Sequence, residues 1–212
     1  MKKLITAILL ASTLILAGAS APQFIPNKTY SQQTWALSRL SVYQLQGSEG
    51  QGSAVILDSN YAITAGHAVF GQDTVTLISP DKVPQIVKVL KYDGERDLAL
   101  LEGRFNQSGV VLSRKTPELD AVLVAIGYPL GGQLNSIQVA TYGHYQGVLD
   151  DVFFLHTVPT MFGNSGGGIF NTAGELVGVT VGVANGGGFP AVNLGVAVRW
   201  DMIHKFIHET NQ

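Results

Sequence analysis

A serine, a histidine and an aspartate, remote from one another in the chain, each sit where proton transfer or nucleophilic attack would need them. Ser165 lies in "MFGNSGGGIF", residues 161–170, among four glycines. A serine hydroxyl is a poor nucleophile until a base takes its proton. Attack on a carbonyl also creates an oxyanion, which needs backbone N–H donors aimed at it. Glycine frees the backbone to aim them and leaves room for a substrate. The amides of Gly163 and Ser165 are therefore expected to form an oxyanion hole, with a glycine-rich turn devoid of chemistry as the plain alternative. His67 follows the apolar run in "YAITAGHAVF", at the end of an expected strand. Asp97, in "GERDLALLE", directly precedes an apolar strand and could hold an imidazole in one tautomer. Asp93 and Glu95 compete for that role, and Asp97 is preferred because it abuts "LALL".

The other histidines are 144, 156, 204 and 208. His204 and His208 stand four residues apart, but no glutamate lies between them and no third ligand is apparent. They read as a solvated helix face, so no metal site is expected, and no organic cofactor is implied.

The elements that must position these residues are short and mostly extended. Apolar or alternating runs occur at 53–57, 74–78, 85–92, 98–101, 121–127, 136–143, 152–158, 175–183 and 193–198, separated by Gly, Asp, Asn and Pro. Many strands without helical periods between them indicate an all-β sandwich or barrels. One helix is expected at 201–210, with Asp201 as N-cap and Met202, Ile203, Phe206 and Ile207 on one face. The polar stretch 104–120 reads as the connection between two lobes, at about 35–110 and 118–199.

"TAGHAV", "RDLALL" and "GNSGGG", in the order His67, Asp97, Ser165, resemble the trypsin/chymotrypsin-like serine proteases. "GQGSAVILDSNYAITAGHAV", "AVLVAIGYPLGG" and "GNSGGGIFNTAGELVGV" are similar to successive segments of the bacterial HtrA-type protease domain. The resemblance runs from about Trp35 to the terminal helix. It implies two six-stranded antiparallel β-barrel lobes of the chymotrypsin-like kind with a C-terminal α-helix. It also implies hydrolysis of polypeptide substrates through an acyl-enzyme, with catalytic residues His67, Asp97 and Ser165. HtrA-type proteins carry a peptide-binding PDZ domain after the protease, and here the sequence stops at Gln212. Asn164 stands where digestive proteases have an aspartate that pairs with a newly cut N-terminus, so activation by that salt bridge is not expected.

The same resemblance points to a substrate-binding set of Pro159, Thr160, Thr180, Val181, Gly182 and Gly195. Pro159 occupies the place of the aspartate found in trypsin-type pockets. No histidine stands near Thr180, where glutamate-specific relatives have one. Thr180 is expected to hydrogen-bond Asp97, Val181 and Gly182 to pair with the substrate backbone, and Gly195 to form the pocket's back wall. The side chain before the cut should then be small or medium and apolar. Residues 163–167 also match the G-x-S-x-G elbow of α/β-hydrolases, but that motif needs a helix after the serine, and three consecutive glycines followed by "ELVGVTVGV" oppose one.

Composition agrees with export. The 212 residues are 46% hydrophobic and 13% charged, with formal net charge −2, so a sizeable core is available and no nucleic-acid groove is expected. Lys2 and Lys3, the apolar run from Leu4 to Ala17 and the small residues after it form a secretory signal pattern, too short for a bilayer-spanning helix. Residues 1–19 read as signal, with cleavage after Ala19 preferred to Ala21, and 20–34 as a polar lead-in to the protease domain, 35–212. No stable membrane anchor is then expected, and the destination is the periplasm or the medium. With no cysteine, the fold relies on its core rather than on disulfides. An inactive exported binding module, or an esterase using the same three residues, are the other readings.

Overall fold

A computed structural model describes residues 36, 38–48, 50–130, 136–184 and 194–209; the signal and lead-in lie outside them. The first barrel contains β1 (Val42–Gln46), β2 (Gln51–Ile56), β3 (Tyr61–Ala65), β4 (Thr74–Ile78), β5 (Pro84–Asp93) and β6 (Leu98–Glu102). It closes in the order β1-β2-β3-β6-β5-β4. The second contains β7 (Val122–Gly127), β8 (Val139–Val148), β9 (Phe153–His156), β10 (Gly168–Phe170), β11 (Leu176–Val183) and β12 (Gly195–Arg199). It closes in the order β10-β11-β12-β9-β8-β7. Every pairing in both barrels is antiparallel.

Closure leaves neither barrel with a free edge, and each fills its interior with side chains. Tyr43, Leu45, Ile56, Leu77 and Leu101 pack the first, and Leu123, Phe154, Ile169 and Val177 the second. A third cluster joins the barrels: Val42, Ile63 and Leu98 from one meet Ile126, Phe170 and Val179 from the other, with Met202, Ile203 and Phe206 of the helix. This shared core fixes one barrel against the other, and with them the residues that each contributes to the cleft between.

The helix α1 spans Trp200–His208, one residue earlier and two shorter at its end than the sequence pattern suggests. Its N-cap is Arg199, whose side chain makes no capping bond; Asp201 is not the cap but lies in the first turn, held by the Arg199 guanidinium at 2.8 and 3.1 Å. A carboxylate there still faces the positive end of the helix dipole. At the other end, Lys91 of β5 donates to the carbonyls of Phe206 and Glu209 at 2.7 and 2.9 Å, so the first barrel satisfies acceptors that the helix leaves open. No helix among the described residues is long and apolar enough to cross a membrane.

Candidate active site

The turn between β5 and β6 delivers Asp97. Asp93 starts it by accepting the amides of Glu95 and Arg96, both at 2.9 Å, and pairs with the Arg96 guanidinium at 3.2 Å. Asp93 is thus spent on the turn, which removes it as a rival. Asp97 itself has φ +51°, a left-handed conformation that aspartate tolerates better than most residues. Three contacts lock it to the short 3-10 turn Gly66–Ala68 after β3. Its carbonyl accepts the Gly66 amide at 2.9 Å, Oδ1 accepts the His67 amide at 2.7 Å, and Oδ2 lies 2.7 Å from His67 Nδ1.

A carboxylate can only accept, so Nδ1 carries the proton and Nε2 is left as the acceptor. The hydrogen bond and the charge of Asp97 raise the His67 pKa above its usual 6.5, against a desolvation that lowers it. Both Asp97 oxygens are taken by His67, and the expected hydrogen bond from Thr180 is not formed.

The Ser165 loop belongs to the second barrel but is anchored by the first. The Ser53 amide on β2 donates to the Ser165 carbonyl at 2.8 Å. The Ser53 hydroxyl, fully buried, donates to the Gly163 carbonyl at 2.8 Å and accepts the Tyr128 amide at 2.9 Å. Thr64 Oγ1 in turn donates to the Ser53 carbonyl at 2.7 Å. Within the loop, the amides of Asn164, Gly166 and Gly167 are bonded to the carbonyls of Met161, Thr180 and Asn164. Among the described residues, the amides of Gly163 and Ser165 are the two left without an acceptor between 163 and 167, and they are the pair expected to face an oxyanion.

Glycine is required at two of these positions. Gly163 has φ +93°, and a β-carbon there would lie 2.3 Å from the Tyr128 carbonyl oxygen. Gly166 has φ +81°, and its β-carbon would lie 2.1 Å from both the Ser53 carbonyl oxygen and Thr64 Oγ1. Ile169 and Phe170 directly follow the glycine run. They are β10, fully buried, and close the second barrel against β7.

His67 and Ser165 line one open cleft of about 1090 Å³. No hydrogen bond joins their side chains, a contact that in nucleophile–base pairs often tightens only once substrate is in place. Thr160, Val181 and Gly182 line the cleft, and β11 bulges between Thr180 and Gly182 beside it. Pro159, Thr180 and Gly195 are not on its surface. Thr180 is buried and its backbone holds the serine loop instead, through Gly166 and Gly167. Phe70, Tyr92, Met161, Phe162 and Val183, which the sequence reading omitted, form exposed apolar walls. The hint for three of them was position: Met161 and Phe162 precede the glycine loop, and Val183 ends β11. Among the described residues, no charged or titratable side chain lines the cleft apart from His67 and the Tyr92 phenol. Among the described residues, no group of three or more His, Cys, Asp or Glu could hold a metal ion.

Paired closed barrels, with an aspartate-oriented histidine from one and a serine in a glycine turn from the other, define a chymotrypsin-like protein. The chain belongs to the trypsin-like peptidase domain family, whose profile matches residues 52–179. It is similar to a probable periplasmic serine endoprotease, DegP-like, of Pseudomonas fluorescens: 30% identical over 158 residues, covering 71% of this chain and 33% of the relative. It is also similar to the periplasmic pH-dependent serine endoprotease DegQ of Escherichia coli, 30% identical over 168 residues, covering 74% and 36%. The chain spans about a third of the length of these curated relatives. Among solved structures, the active form of the Rv3671c protease of Mycobacterium tuberculosis superposes with a TM-score of 0.74 at 19% identity, covering 88% of this chain and 89% of that one. A serine endoprotease of Yersinia pestis gives 0.74 at 23%, covering 84% and 65%.

Proposed function

We propose that this protein is an exported serine endopeptidase that cleaves peptide bonds through an acyl-enzyme. His67 Nε2 takes the Ser165 proton as the hydroxyl attacks the carbonyl, then passes it to the leaving amine; the same imidazole next deprotonates the water that releases the acyl group. Asp97 fixes the tautomer and stabilises the imidazolium. The Gly163 and Ser165 amides receive the oxyanion, an interaction worth roughly 100-fold or more in turnover per donor. The observation that carries the reading is the 2.7 Å contact between Asp97 Oδ2 and His67 Nδ1 at the wall of the cleft that also holds Ser165.

The apolar walls, and the lack of a counter-charge among the described residues of the cleft, favour small or medium apolar side chains before the cut. Val181 and Gly182, beside the bulge in β11, offer backbone to an extended substrate. Export to the periplasm or the medium follows from the N-terminal pattern, and the relatives named above are described as periplasmic.

Labelling of the purified protein with a fluorophosphonate, followed by peptide-library cleavage, tests the proposal. Ser165→Ala should take no label and cut nothing. Wild-type labelling with ester but no amide turnover would indicate an esterase. Absence of any label on a folded wild type would indicate a binding module.

A further inference from the structure

The end of the C-terminal helix reaches the turn that carries Asp97. Glu209, one residue past α1, meets Arg96 across 113 positions of sequence. The contact is bidentate: Arg96 Nη1 donates to Oε2 at 2.5 Å and Nη2 to Oε1 at 2.9 Å. An isolated exposed ion pair contributes little, but a forked guanidinium–carboxylate pair inside a network fixes geometry as well as charge. Here the network closes on itself. Lys91 of β5 holds the helix end through the Phe206 and Glu209 carbonyls, with its ammonium 4.6 Å from the Phe206 ring centroid. Glu209 holds Arg96, and Arg96 returns to Asp93, the last residue of β5.

This circuit encloses a strained residue. Asp97, with φ +51°, needs neighbours that over-determine its backbone. On its C-terminal side Leu98 is fully buried in β6, and its own carbonyl accepts the Gly66 amide. On its N-terminal side the Asp93 carboxylate caps the amides of Glu95 and Arg96, and the Arg96 side chain is the arm that leaves the turn. That arm ends on Glu209.

We propose that Glu209 is a positioning residue for the acid–base pair: by gripping Arg96 it holds Asp97 in the left-handed conformation that aims both carboxylate oxygens at His67. The inference rests on the endopeptidase reading. The charges facing the pair are Asp93 and Glu95 around Arg96, and Lys91 and Lys205 around Glu209. Neither other acid substitutes for Glu209, because Asp93 already caps the turn and Glu95 acts on the guanidinium by charge alone.

The test compares wild type with Glu209→Gln, which keeps the shape of the side chain and removes its charge. In this variant kcat should fall roughly five- to tenfold, the scale of holding one non-glycine residue in the left-handed region, with KM little changed. The pH midpoint of kcat/KM should move down towards 6.5, because a loosened Asp97 raises the His67 pKa less. The downfield proton resonance of His67 Nδ1–H should broaden or move upfield, and it reads the Asp97 contact without any turnover. Glu95→Gln removes a like charge from the same turn and leaves the grip, so it should behave as wild type. A folded Glu209→Gln with wild-type kcat, midpoint and resonance would overturn the assignment. So would an equal loss in Glu95→Gln, which would make the effect one of field rather than grip. If Glu209→Gln does not fold, Lys91→Met loosens the same helix end from β5 and must show the same three changes. A wild type that neither cleaves nor labels with fluorophosphonate defeats the endopeptidase reading, and the resonance then still reads whether Glu209 holds Asp97.

Discussion

Replacing His156 by leucine should make the fold less sensitive to acid. In the native state burial holds the imidazole pKa at about 4, against 6.5 for an ordinary imidazole. Above pH 6.5 both folded and unfolded chains carry it neutral, and it contributes nothing to the pH dependence. Below 6.5 the unfolded chain binds a proton that the folded chain refuses, so stability falls as pH falls until about 4 and then levels. Each pH unit in that window is worth about 1.4 kcal/mol, which gives a loss of about 1.4 kcal/mol at pH 5.5 and about 3 kcal/mol at pH 4. His67 acts in the opposite sense: its raised pKa adds stability below 6.5, which is lost as pH rises through the folded value. His67 and the carboxylates are common to both proteins, so the difference between wild type and His156→Leu isolates position 156. Leucine is close in volume and suits a site walled by Phe154. Urea unfolding followed by tryptophan fluorescence at pH 7, 5.5 and 4 reads this difference. It should widen in favour of the leucine variant by about 3 kcal/mol between pH 7 and 4. A difference constant to within about 0.5 kcal/mol, the usual scatter of such comparisons, would refute the reasoning.

Three further outcomes follow from the site. Wild-type kcat/KM should rise with pH to a midpoint above 6.5, because His67 must lose its proton and Asp97 raises its pKa; Asp97→Asn should move that midpoint down and lower kcat by about 10⁴-fold, as stopped assays across pH would read. Ser53→Ala frees the Gly163 carbonyl and the Tyr128 amide. It should cost about 1–3 kcal/mol in urea unfolding and lower kcat more than it changes KM. Gly163→Ala places a methyl group 2.3 Å from the Tyr128 oxygen, so turnover should fall by at least about 100-fold while the thermal melt of the barrels remains cooperative.

The strands legible in the sequence were those whose apolar residues alternate or cluster, such as Thr74–Ile78, which the pattern delimited as observed. β1 escaped notice because buried polar Gln44 interrupts it, and β10 because it is three residues long and opens with a glycine. β8 begins three residues later than its apolar run and continues five beyond it, through Gly147. His67, Asp97 and Ser165 were legible because each sits at the end of a strand or in a turn with a recognisable local composition. Ser53 was not: a serine inside "QGSAVI" carries no sign of the hydrogen bonds it makes to residues 75 and 110 positions away. Nor could spacing indicate that position 156 fills the space beside Gly195, since that contact depends on the register of β9 against β12.

The first half of the chain carries His67 and Asp97, the second half carries Ser165, and the hydrogen bond from the Ser53 amide to the Ser165 carbonyl ties the two. On the proposed mechanism, a partly synthesised copy therefore holds an acid–base pair with nothing to activate, and a late-arriving hydroxyl has no partner until docking is complete. On the proposed function, the order in which the polypeptide emerges keeps the nucleophile and its base apart until both barrels are complete.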